Sequence, residues 1–107
     1  MDADMHEQLV YLMRHMAYDI ADLVEKVLHD DEKDPDYSAV TAVNMLTCYI
    51  HVMRRLGEEV PYANAKEYFA YSRRSPEEYR RFIESARKES AYYHGRIFDE
   101  AKKNIGI

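Results

Sequence analysis

The sequence has no tryptophan, one cysteine, three glycines and three prolines in 107 residues. A single thiol, Cys48, excludes an intramolecular disulfide framework and makes a reducing compartment the simpler expectation. So few glycines and prolines leave little material for the frequent turns of a β-sandwich or barrel, and favour long helices joined by few connections. No apolar run approaches the ~18 residues needed to span a membrane. The opening Met1-Asp2-Ala3-Asp4 lacks the basic-then-apolar order of a signal peptide, so a cytoplasmic location is expected. At this length the chain is expected to be one domain, 1–107, able to bury roughly two-thirds of its unfolded surface.

Helical signals are abundant. The clearest lies at Ser75-Pro76-Glu77-Glu78. Ser75 can accept from an unpaired N–H of the first turn and Glu78 can reach back to the Ser75 N–H, while Pro76 takes a position whose N–H would be unused. Behind it Tyr79, Phe82, Ile83, Ala86, Ser90, Tyr93, Ile97 and Ala101 repeat at three- and four-residue steps, predicting one helix over 75–104 with Gly95 as its weak point. A first helix is predicted over 4–29, with Asp4 and Glu7 in capping-box spacing. Its apolar stripe is Met5, Leu9, Leu12, Met16, Ile20, Leu23 and Val27, and Tyr11, His15, Tyr18, Asp22, Glu25 and His29 form its polar face. A second helix over 35–56 starts at Asp34-Pro35 and stops at Gly57. It is apolar nearly all round, which makes it the central one, and only Thr41, Asn44, Cys48, His51 and Arg55 depart from that pattern. A short third helix is predicted over about 61–72, starting at Pro61 or at Asn64, with Asn64 and Glu67 as a capping pair. The expected fold is all-α: an antiparallel bundle of three long helices plus one short helix.

Charge is uneven along the chain. Residues 1–36 carry eleven acids and three bases, 37–72 three of each, and 73–107 six acids and nine bases, which sums to the net −5. A last helix of about 43 Å exceeds what a domain of this size covers. Its surplus includes Ile97, Phe98, Ile105 and Ile107, so a homodimer is expected.

Ten tyrosines are present, and several cluster with arginine around the third helix. Tyr62, Tyr68, Tyr71, Arg73, Arg74, Tyr79 and Arg81 are the expected partner-binding residues, because broad rings and guanidinium groups dominate protein interfaces. The same mixture can stack bases and hold phosphates, but Glu67, Glu77, Glu78 and Glu84 interrupt it, so nucleic acid ranks behind protein. His15 with Asp19 and Glu25 with His29 are i,i+4 pairs, yet neither supplies the third and fourth ligand a metal needs. Cys48 and His51, three residues apart, have no turn nearby to supply oxyanion donors. No metal and no cofactor is expected.

Arg87 and His94 are separated by two helical turns and share a face. Arg87-Lys-Glu-Ser-Ala-Tyr-Tyr-His94 resembles the R-x(4–6)-H motif of HEPN ribonucleases, which are helical and of similar size. That resemblance implies metal-independent RNA cleavage at a dimer interface, with Arg87 stabilising phosphate charge and His94 contributing to cleavage. The favoured expectation is a small non-enzymatic interaction protein or assembly subunit; the HEPN-like ribonuclease is the alternative.

Overall fold

A computed structural model describes residues 2–29 and 34–90, which form four helices and no strand. They are α1 (Ala3–Leu28), α2 (Pro35–Arg55), α3 (Ala65–Tyr71) and α4 (Pro76–Ser90). Three are long and one is short, as the periodicity predicts. Residues 91–104 of the predicted last helix, with Gly95 and the apolar surplus behind it, lie outside the described residues.

Each helix start has a polar side chain in place. At α4 the capping box is reciprocal: the Ser75 N–H donates to Glu78 Oε1 at 3.0 Å and the Glu78 N–H to Ser75 Oγ at 3.1 Å. Asp34 accepts from the Tyr37 N–H at 3.1 Å, with Pro35 in the first turn of α2. One start differs from expectation, and at α3 the later of two expected starts is taken. The cap of α1 is Asp2, not Asp4; it accepts from the Met5 N–H at 2.8 Å, so the helix begins one residue earlier, at Ala3, and it also ends one residue earlier, at Leu28. In α3 the cap is Asn64, which accepts from the Glu67 N–H at 2.9 Å, so Pro61, Tyr62 and Ala63 precede the helix.

Two helices end in the same hydrogen-bond pattern. Glu58 donates to the Met53 carbonyl and Gly57 to Arg54; Arg74 donates to Phe69 and Arg73 to Ala70. The pattern needs a left-handed residue, and Gly57 (φ 81°) supplies it after α2. After α3 the same position is Arg73, at φ 58°.

The central helix is α2, against which both α1 and α4 pack; α1 and α4 touch each other less. His6 Nε2 donates to the Leu56 carbonyl at 2.6 Å, so the start of α1 lies beside the end of α2 and the two run antiparallel. The core joins Ile20, Val24 and Val27 of α1, Val40, Val43, Leu46 and Ile50 of α2, Phe69 of α3, and Phe82, Ile83 and Ala86 of α4. Burying side chains of this size stabilises by ~1.5–3 kcal/mol each before chain entropy opposes it. The α1 stripe is covered unevenly: Met16 and Leu23 pack against the core and Leu9 is half-buried. Ile20 and Val27 are buried, but Leu12 remains 61% exposed and Met5 49%.

Candidate functional surface at α3 and α4

The segment before α3 and the two helices after it gather an aromatic cluster. Tyr62 stacks on Tyr49 of α2 at 6.5 Å and meets Tyr68 edge-on at 5.0 Å and Tyr71 at 5.5 Å. Phe69 links this group to α4, with ring centres 5.4 Å from Tyr79 and 4.9 Å from Phe82. Such offset and edge-on pairs add ~0.5–1.5 kcal/mol each beyond burial. Burial, reinforced by Tyr49 and Tyr68, pushes the Tyr62 phenol far above its usual value. Burial also raises Tyr68, against the opposing pull of Ser72 and Arg74, and raises Tyr79 against the pull of Arg87.

The seven residues expected at the surface divide by role. Tyr62 is buried and supports the others from beneath. Tyr68 and Tyr79 are half-buried. Arg74 pairs with Glu25 of α1 and, at 3.2 Å, with Glu78, so its charge is used inside the fold. Arg81 donates to the Leu28 carbonyl at 2.8 Å, closing the C-terminal end of α1, where a cation suits the helix dipole. Tyr71 and Arg73 are left facing solvent, Tyr71 at 62% exposure.

Beside them, α3 and the start of α4 enclose a notch of about 120 Å³. Its walls are Phe69, Ala70, Pro76 and Tyr79, and Lys66 and Arg74 stand at its edge. Lys66 and Ala70 had no signal in the sequence: they become neighbours of Pro76 and Tyr79 only when α3 and α4 pack. Arg73, Lys66 and Arg80 are exposed and make no ion pair among the described residues. The surface therefore offers an apolar recess large enough for one aliphatic side chain, with cations around it.

The other candidates fare differently. His29 Nε2 sits 2.9 Å from Glu25, Lys26 lies 3.1 Å from Asp22, and His15 packs against the rings of Tyr11 and Tyr18. Among the described residues no group of three or more His, Cys, Asp or Glu side chains could hold a metal ion. Cys48 is half-buried and His51 exposed. Arg87 is exposed and close enough to act electrostatically on the Tyr79 phenol; its motif partner His94 lies outside the described residues. No helix among the described residues is long and apolar enough to cross a membrane.

No family model matches the chain, and neither a curated protein nor a solved structure shows significant similarity to it.

Proposed function

We propose that this is a small non-enzymatic interaction protein, cytoplasmic and self-associating, which docks a protein segment on α3 and the start of α4. The segment it fits presents one aliphatic or aromatic anchor for the notch and carboxylates for Lys66, Arg73 and Arg80. The observation that supports this most is Arg73. A non-glycine residue in the left-handed region costs ~1–2 kcal/mol, and glycine in the equivalent place after α2 avoids that cost. Arg73 carries the strain without forming an ion pair among the described residues, and it is the chain neighbour of Arg74, which lines the notch. The turn that ends α3 imposes the left-handed conformation, and a partner-binding role accounts for an exposed arginine there in place of glycine.

The test is selection of peptides from a random display library on the immobilised protein. Enriched peptides should combine an apolar anchor with flanking Asp or Glu. They should be lost on Ala70→Trp, which fills the notch, and on Arg73→Glu, which reverses the charge, with helical circular dichroism unchanged in both. Enriched peptides that bind both variants as well as the original chain would refute this surface.

A further inference from the structure

The α1–α2 pair has two sides. Arg74 on Glu25 and Arg81 on the Leu28 carbonyl mark the side of α1 that faces α3 and α4, and Tyr62 on Tyr49 marks that side of α2. Helical spacing, at about 100° per residue, puts Met5 and Leu12 on the opposite flank of α1, next to Met16, which packs against the core. It puts Asn44, Cys48 and His51 on the opposite flank of α2. The apolar stripe of α1 is open there: Leu12 is 61% and Met5 49% exposed.

We infer that a second copy of this chain covers this side, with each α1 lying across the partner copy's α2. The inference rests on the self-association reading above and gives it a surface and a symmetry. Charge selects the arrangement. The outer edge of α1 carries Asp4 and Asp19, with Asp22 paired to Lys26 beside them, whereas α2 has no acid after Asp36 and carries Arg55 on this side. A two-fold axis parallel to the helices lays the acidic edge of α1 on the acid-free edge of the other copy's α2. An axis perpendicular to them would stack α1 on α1, acids against acids.

The heights agree. Because His6 meets Leu56 and the two helices run antiparallel, Arg55 stands about three residues, ~4.5 Å, from the level of Asp4, an offset within arginine reach across such an axis. The area is adequate as well. An overlap as long as α2, ~31 Å, and two helices wide, ~18 Å, covers roughly 560 Å² in projection, which atomic relief brings close to the ~800 Å² per partner of a standard interface.

Sedimentation velocity on the full chain at micromolar concentration tests this. The unmodified chain should be dimeric. Leu12→Lys, at an exposed position that does not hold the fold, should be monomeric with its helical circular dichroism intact. Arg55→Glu should weaken the dimer roughly tenfold, and Asp4→Lys in the same chain should restore it. Tyr71→Lys, on the α3 side, should leave the dimer unchanged. A monomeric unmodified chain would overturn both this surface and the self-association reading. A dimer that persists in Leu12→Lys, or that Asp4→Lys does not rescue in Arg55→Glu, would overturn the surface and its symmetry while leaving self-association standing.

Discussion

Arg74 joins the α3–α4 connection to Glu25 of α1, a residue forty-nine positions earlier, and with Glu78 it forms a two-carboxylate clamp on one guanidinium. The arginine is mostly covered and both carboxylates reach solvent, so screening limits what the clamp contributes at neutral pH. Its signature is in acid. Arg74 holds Glu25 below the usual carboxylate range, and the Ser75 N–H does the same for Glu78, with Arg74 adding to it. A depressed folded-state value means stability that is present above the unfolded carboxylate value of about 4.3 and is lost as pH falls through the folded values. Arg74→Met should therefore flatten the loss of stability below about pH 4.3. Chemical denaturation followed across that range checks it; parallel acid limbs in the two proteins would contradict the clamp.

The two left-handed helix ends predict opposite responses. Arg73→Gly should stabilise the fold by about 0.5–1 kcal/mol, the relieved strain less the extra entropy of glycine in the unfolded chain. It should also remove capture of the peptides selected on the α3–α4 surface. Gly57→Ala should destabilise by about 1 kcal/mol. An added Cβ there meets nothing within 4 Å, so the whole effect comes from the backbone. Urea unfolding of both variants reads the pair.

Tyr62 sets an alkaline limit. Its phenol is neutral in the folded chain well beyond the usual value near 10, because burial disfavours the phenolate. A raised folded-state value means that stability is full below about pH 10 and declines above it, as the unfolded chain ionises and the folded one does not. Tyr62→Phe keeps the ring packing and removes the ionisable group, so its stability should fall less steeply above that pH. Denaturation midpoints measured on both sides of it, with phenolate absorbance as a monitor, check the sign.

What the sequence showed and hid follows from the range of the interactions. Ser75 with Glu78, Asp34 with Pro35, and Asn64 with Glu67 act within one turn, so they could be read directly. Local signals leave the start of α3 open between Asn64 and Pro61, because Pro61 is as good a first-turn residue as Pro35. What excludes it is Tyr62, held beneath α3 by Tyr49 and Tyr68. The roles of Arg74 and Arg81 depend on Glu25 and Leu28, remote in sequence, and no local pattern separates them from Arg73. Only the length of the α3–α4 connection carried a signal: four residues, none of them glycine, must still turn the chain. The stripe on α1 is uniform in sequence from Met5 to Val27, but its cover is not: Ile20 and Val27 are buried while Met5 and Leu12 are exposed.

Arg87 decides between the favoured function and its alternative. In the interaction reading it is an exposed cation near the Tyr79 phenol, and the protein does not cleave RNA. In the HEPN-like reading it stabilises the charge that builds on phosphate, which a guanidinium at a metal-free site does well. Incubation of the full chain with structured and single-stranded RNA in EDTA separates the two, since chelation removes contaminating metal-dependent nucleases. No cleavage is expected from the unmodified chain or from Arg87→Ala. Cleavage by the unmodified chain that Arg87→Ala abolishes, with dimerisation and helical content unchanged, would replace the interaction reading with the enzymatic one. The two-fold arrangement on α1 and α2 would then have to be reconciled with an active site near the end of α4. Leu12→Lys distinguishes these as well: in a HEPN-like enzyme whose dimer forms through α4, it should leave cleavage intact.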